Sequence, residues 1–400
     1  MPLATRFEEL IEAVEAGDSG RCRLIADLLK AEYVIVHDGL RNAVARTLAE
    51  GIEIAGPKEG EAIGRRVVLD LMGDGEIPQY SQGPIMQRLN NIAAGWHWHA
   101  TQFELVEEPE RFTFILGPCG SGMRLIQEGA YKGGRALPLS VRPTLSTFMS
   151  SDYPSYCNHC SEMGHAALRF NKAVFIVEGW TPLREQGICL QHTYKDGHLP
   201  PDEFYHRADL PAPDRDRLEL KVADPKRWLT DEQLVWIATH PLDRLIQLVE
   251  SGDREQAREL VDECLFGWKE AIHDVYRFWL ALLWIEMRDS LGRQVMEDIV
   301  RSSGYELLAV LDPRVTPDPG AAWKEYWRCH LRLNDFEVGG GMGVYRNAVE
   351  ALVDPCLGEA GEDAEALVGL ISEGIEGNGR DLGRVFIDSG ELVHEVRLAL

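Results

Sequence analysis

Four cysteines, Cys119, Cys157, Cys160 and Cys189, cluster in the first half of the sequence, apart from Cys22. A thiolate can hold a soft or borderline metal ion, attack a carbonyl, or exchange disulfides. Spacing decides which chemistry is in view. Cys157-x-x-Cys160, within "SYCNHCSEMGH", has the half-site spacing of a zinc knuckle, in which a tight turn lets two thiolates reach one ion. Cys119 lies in "GPCGSG", a glycine-rich turn before a helix-like run. Backbone N–H groups in such a turn cradle negative charge, and a helix N-terminus favours the thiolate. Both effects serve a metal ligand and a nucleophile equally.

The full pattern, C-x37-C-x2-C-x28-C, is one strong half-site with two further ligands from a loop and a strand. Zinc is the expected cofactor, with Cys119, Cys157, Cys160 and Cys189 as its ligands. If three of them bind, the fourth position is open for water or substrate, as catalytic zinc requires; if all four bind, the zinc is structural. Unliganded thiols and a redox CxxC are the alternatives, and no thioredoxin-like βαβ pattern surrounds the pair. The glycine loop lacks the Lys-Ser/Thr of a phosphate-binding P-loop.

Three histidines are candidates for proton transfer, because imidazole titrates near neutral pH. His97 and His99, in "WHWHATQF", would share one face of a strand, about 6–7 Å apart. If that strand and "RFTFIL" close a hairpin around "EEPE", the two histidines lie opposite Pro118–Gly120. The bland reading of the pair is two half-buried, hydrogen-bonded imidazoles beside Trp96 and Trp98. His159, inside CNHC, is either an acid/base beside the metal or a ligand in place of one cysteine.

These residues need a frame. "WHWHATQFELV", "RFTFIL", "AVFIVEG" and "GICLQHTY" read as strands by alternation and composition. Apolar residues recur at helical spacing on both sides of two short helix breaks. Six residues of an early helical hairpin recur: Leu10, Ile11, Val14, Glu15, Gly17 and Asp18 match Leu245, Ile246, Val249, Glu250, Gly252 and Asp253. His37-Asp38 is matched by His273-Asp274 after a one-residue insertion. "AGD" and "SGD" read as helix ends followed by a new cap. Each His-Asp pair sits in a helix, where its histidine is expected to be buried against a partner helix. The fold expected is α+β, with helical hairpins packed on a small antiparallel sheet and a diverged, mostly helical second copy. A Pro- and Asp-rich stretch near 200–225 suggests a linker, hence an α+β cysteine/histidine domain at 1–210 and the diverged repeat at 225–400. The glycine run from Val338 is too weak, outside a βαβ unit, for dinucleotide binding.

Bulk properties narrow the partners. The 400 residues carry 41 basic and 65 acidic side chains, a net charge of −24. Phosphate backbones and anionic membranes attract basic surfaces, so neither nucleic acid nor membrane is an expected partner. The longest apolar run, "FWLALLWI" at 278–285, is far short of the about 20 residues a bilayer requires. Eight cysteines in 400 residues do not make a disulfide scaffold, and the cytoplasm is the expected compartment. The bulky residues of "FGWKEAIHDVYRFWLALLWIEM" suit an internal core or a homodimer interface.

A helical block with a His-Asp, a strand, the cysteine loop, a helix, further cysteines and a closing "GICLQHTYK" follow one another over roughly residues 20–195. In layout this resembles the cysteine-bearing α+β domains of the 4-vinyl reductase type and of L-2-amino-thiazoline-4-carboxylic acid hydrolase-like proteins. The resemblance implies a small-molecule binding domain, in some members metal-binding and in some hydrolytic. The function expected is a zinc-dependent hydrolase or lyase acting on a small-molecule substrate at a carbonyl or C–N centre, with His97, His99 or His159 moving protons. The alternatives are a metal-free cysteine-nucleophile hydrolase or transferase, and a non-catalytic ligand-binding protein closed by a structural zinc.

Overall fold

The computed structural model describes residues 5–72, 80–132, 136–140, 144–147, 149–170, 172–174, 176–178, 187–221, 226–268, 272, 275–309, 338–339, 342–348, 366, 369–370, 383–388 and 391–397. In chain order the helices are α1 (Arg6–Ala16), α2 (Ser19–Ala55), α3 (Pro57–Leu71), α4 (Ile85–Trp98), α5 (Gly122–Gln127), α6 (Asn158–Arg169), α7 (Asp202–Arg207), α8 (Asp231–Ala238), α9 (Pro241–Ser251), α10 (Arg254–Trp268), α11 (Val275–Leu291) and α12 (Arg293–Ala309). The class is α+β, with antiparallel sheets.

The chain divides into two compact units, residues 1–55 with 241–400, and residues 56–240. This differs from the consecutive 1–210 and 225–400 read from sequence. The Pro- and Asp-rich stretch is part of the second unit and carries α7 and a 3₁₀ turn at Arg215–Arg217. The reason for the interleaving is that α1 and α2 pack with α9 and α10 in the first unit.

In that unit the two matching hairpins break in the same way. Thr5 closes a capping box with Glu8 at the start of α1, and Gly17, at φ 70°, ends it. Asp18 then accepts from the Arg21 N–H at 2.9 Å. Gly252, at φ 86°, follows α9, and Asp253 accepts from the Gln256 N–H at 3.1 Å. Glycine is required at both because only it enters the left-handed region without steric cost, and the aspartate fills the next helix's orphan donors. Ion pairs Arg23–Glu250 at 3.0 Å and Lys30–Asp243 at 2.6 Å join α2 to α9. His37 is fully buried, its Nδ1 2.8 Å from Asp38 Oδ1 and its ring edge-on to Tyr276 at 5.5 Å. This is the packing role expected of it. His273 and Asp274, with Cys329 and Cys356, lie outside the described residues.

The same unit holds a four-stranded antiparallel sheet of β7 (Val338–Gly339), β8 (Met342–Ala348), β9 (Gly383–Asp388) and β10 (Glu391–Arg397), in the order β7-β8-β10-β9. Helices still make up most of the described residues of the second half, as expected, and this sheet is an element not expected from the sequence. A run of glycines is a poor helix former, and "GRVFID" and "ELVHEVR" are of strand length.

The second unit is built on β1 (Phe103–Glu107), β2 (Arg111–Leu116), β5 (Ile176–Glu178) and β6 (Cys189–Tyr194), in the order β1-β2-β6-β5; β3 (Leu139–Ser140) pairs with β4 (Tyr153–Pro154). Both four-stranded sheets thus place their last strand beside the second and their third at the edge. The first hairpin turns at the acidic segment, with Glu107 opposite Phe112. Phe112, Phe114 and Leu116 alternate onto the core face of β2 with Leu105 of β1, and side chains from α3, α4, α6 and α8 cover them. At one end of this face Glu107 and Lys195, each only 1% exposed, form a 2.7 Å ion pair. Glu107 also accepts from the backbone N–H groups of Trp228 and Leu229 at 2.6 and 2.9 Å. Among the described residues no helix is long and apolar enough to cross a membrane.

Candidate functional site

Cys119, Cys157, Cys160 and Cys189 reach one cavity in the second unit. Each comes from a different local setting. Cys119 lies in the loop after β2. Cys157 ends a 3₁₀ turn (Ser155–Cys157), and Cys160 sits in the first turn of α6. Positions three apart on a helical stretch share a face, which is why both can border the same space. Cys189 opens β6, directly opposite Leu116 of β2. The tight turn expected of CNHC is therefore a 3₁₀ turn running into a helix.

Two glycines make the approach possible. A Cβ on Gly122 would lie 2.4 Å from Cys157 Sγ, and one on Gly120 would lie 1.4 Å from the His99 carbonyl oxygen. The "CGSG" spacing thus lets the loop lie against the end of α4 on one side and against the Cys157 thiol on the other. The Gly120 N–H donates to Thr101 Oγ1 at 2.9 Å, and Ser121 Oγ hydrogen-bonds His99 Nδ1 at 3.0 Å.

The cysteine environments differ. Cys119 accepts hydrogen bonds from the Cys189 thiol and from the backbone N–H groups of Met123, Ser121 and Gly122, the Met123 contact at 3.3 Å. The Cys189 thiol is the largest cause, burial opposes it, and the net result lowers Cys119 to about 7. Cys189 is pushed well up, first because it donates to Cys119 and then by burial. Burial raises Cys160, with the neighbouring Cys119 charge adding to it. All six described cysteines are free thiols.

The histidines are placed differently from the strand expected. His97 lies in the last turn of α4 and His99 caps it. At about 100° per residue, side chains two apart on a helix point away from each other. His97 is buried, with Nε2 3.1 Å from the Ile237 carbonyl and its ring against Phe103 and His240. It holds α8 rather than facing the cysteines. His99 does reach the cysteine loop, through Ser121, as the end of a helix and not as a strand partner. His159 hydrogen-bonds the Tyr156 carbonyl through Nδ1, and its Nε2 is 3.3 Å from Cys160 Sγ. A carbonyl accepts only, so the proton is on Nδ1 and Nε2 carries the lone pair. Burial lowers His159 to about 4, so the ring is neutral.

The walls of the cavity are apolar: Trp96, Leu116, Met123, Tyr153 and Ile188 among them, and no charged side chain borders it among the described residues. Its volume is about 30 Å³, room for roughly two waters at about 10–15 Å³ each. Tyr153 donates to the Cys157 carbonyl at 3.3 Å, and burial raises its hydroxyl well above the ordinary range. α6 is fastened from behind: Glu162 accepts from Arg65 at 3.1 Å and from Ser146, while Ser161 donates to the Ser146 carbonyl at 2.6 Å. Among the described residues no three His, Cys, Asp or Glu side chains stand in the arrangement that would hold an ion. The cysteines share a cavity, Cys119 and Cys189 hydrogen-bonded to each other within it, without closing a cage.

Sequence reasoning did not single out Gly122, Trp96, Tyr153 or Gln191. The last had a usable signal, since alternation along β6 puts Gln191 on the face of Cys189. The chain matches no family model, no curated protein and no solved structure.

Proposed function

We propose that Cys119, Cys157, Cys160 and Cys189 take up one zinc ion in this cavity, and that the protein is a zinc-dependent hydrolase or lyase acting at a carbonyl or C–N centre of a small, largely apolar molecule. The observation that supports this most is the meeting of four thiols, from three separated stretches of chain, at one cavity whose described lining is uncharged. Thiolates suit zinc, and zinc–sulfur bonds of about 2.3 Å imply sulfurs about 3.8 Å apart. Each Sγ swings on a single rotor between staggered wells, so the thiols can turn toward a shared ion. The backbone N–H groups at Cys119 would offset the negative charge of the thiolates.

Bound zinc supplies a Lewis acid and an activated water when one position stays open. The protein's own parts then have distinct tasks. The apolar walls exclude bulk water. Gly122 admits the Cys157 thiol, and Ser121 with His99 fixes the loop. His159 offers a neutral Nε2 beside Cys160, where a proton can be received.

The two halves are further proposed to be diverged copies. The matching "AGD" and "SGD" helix breaks and the shared strand order of the two sheets support it. A reducing compartment such as the cytoplasm suits the free thiols.

A second reading has its own observation. A cysteine partner and three backbone N–H donors at Cys119 support a nucleophile in a metal-free hydrolase or transferase. Elemental analysis of protein produced without added zinc separates the two. The zinc reading expects about one zinc per chain, falling to near zero in Cys119→Ser and Cys157→Ser. A folded, active protein with no metal overturns it in favour of the nucleophile. Zinc retained in Cys189→Ser assigns the open position to that corner.

A further inference from the structure

Gln191 is, with the Tyr153 hydroxyl and the Trp96 indole N–H, among the few polar side chains on the cavity wall besides the thiols, counting the described residues. It lies in the middle of β6, fully buried, between Phe114 of β2 and Val177 of β5. Its Oε1 is 2.6 Å from Trp96 Nε1. An indole N–H is a donor only, so it requires the amide oxygen and fixes which way the amide points. The amide nitrogen is therefore the other end, and it has no hydrogen-bond partner among the described residues. A buried donor without a partner is destabilising, which makes an N–H₂ left in an apolar wall a feature that a ligand would relieve.

From this arrangement we infer that Gln191 is a ligand-binding residue, whose Nε2 donates to the oxygen of an uncharged carbonyl compound (ketone, amide or ester) with a small apolar body. The choice of an uncharged acceptor follows from the walls. Among the described residues no cation borders the cavity, and a carboxylate would lose its hydration without a counter-charge. An alcohol oxygen can accept this bond too, but its own O–H would then lie against apolar walls, a cost that a pure acceptor does not carry. Cys189 and Gln191 lie two apart on one strand, about 6.5 Å along it, so an oxygen bound at Gln191 holds the adjoining carbon near the thiols. This deepens the zinc proposal by naming the substrate class, and it rests on that reading only for what happens after binding.

The test uses a matched pair of small probes, acetone and 2-methylpropene, alike in shape but only the first an acceptor. Titration into ¹⁵N-labelled full-length protein is followed by NMR. The inference expects the Gln191 side-chain N–H₂ signals to shift with acetone and the ketone to bind at least about ten-fold more tightly than the alkene. In Gln191→Met that preference falls to about one, with alkene binding retained. Equal binding of the two probes, absence of ketone binding, or a shift that leaves the Gln191 signals in place overturns the inference. The wild-type comparison stands even where the variant does not fold. Zinc content is measured separately: a zinc-loaded protein without ketone preference fails this inference alone, and a zinc-free protein with it fails only the metal reading.

Discussion

An alanine Cβ at position 122 would stand 2.4 Å from Cys157 Sγ. The glycine is there to admit a thiol. Gly122→Ala must push Cys157 out of its rotamer or move the loop, at about 1–3 kcal/mol of stability by the usual cost of overpacking. Thermal melts should show that loss, and zinc content should fall with it. Gly95→Ala is the control. That glycine lies inside α4, and its added Cβ would meet only Tyr80 Oη, at 3.8 Å. Stability there should hold or rise by up to about 1 kcal/mol from helix propensity.

Gly120→Ala should be the more severe change. Its Cβ would fall 1.4 Å from the His99 backbone oxygen, and a backbone atom has no alternative rotamer. Loss of soluble folded protein, or a melting temperature well below that of Gly122→Ala, is the expected outcome. A melt like wild type would show that the loop does not lie against α4 as described.

Much of this arrangement could be read from the residues. The four thiols stand out by type and spacing, and "RFTFIL" and "CLQHTY" alternate plainly enough to give β2 and β6. The helix breaks at Gly17 and Gly252 are legible because a left-handed residue followed by an aspartate cap leaves few alternatives. "WHWHATQF" misled because aromatic and histidine residues at alternate positions mimic a strand. What decided for helix was the continuous run from Ile85, packed through Leu89 and Ile92 onto the sheet. The interleaved units were not legible either. Consecutive segments are the default for a long chain, and the pairing of α1 and α2 with α9 and α10 depends on contacts between residues over 200 positions apart.

Glu107 and Lys195 give a pH-dependent contribution. Lys195 and two backbone N–H groups outweigh burial and hold the Glu107 carboxyl below its ordinary value. A depressed folded-state pKa contributes stability above the unfolded value of about 4.3, lost as pH falls through the folded-state value. In Glu107→Gln this acid-side dependence should be weaker in urea melts between pH 6 and 3. At neutral pH the variant should lose about 3–5 kcal/mol, because it leaves the Lys195 charge buried without its partner. An unchanged acid profile in Glu107→Gln would contradict this assignment.

His97 and the cysteines should separate by readout. His97 contacts the Ile237 carbonyl, Phe103 and His240 and does not border the cavity. His97→Ala should lower the melting temperature with zinc stoichiometry unchanged. Its loss of zinc in a still-folded protein would place that imidazole in the metal site.

X-ray absorption at the zinc edge tests the convergence of thiols most directly. The account predicts a first shell of three or four sulfurs at about 2.3 Å, reduced by one in a Cys160→Ser or Cys189→Ser protein that keeps its metal. A shell of oxygen and nitrogen alone, or no bound zinc in folded protein whose four thiols all react with iodoacetamide, would contradict it.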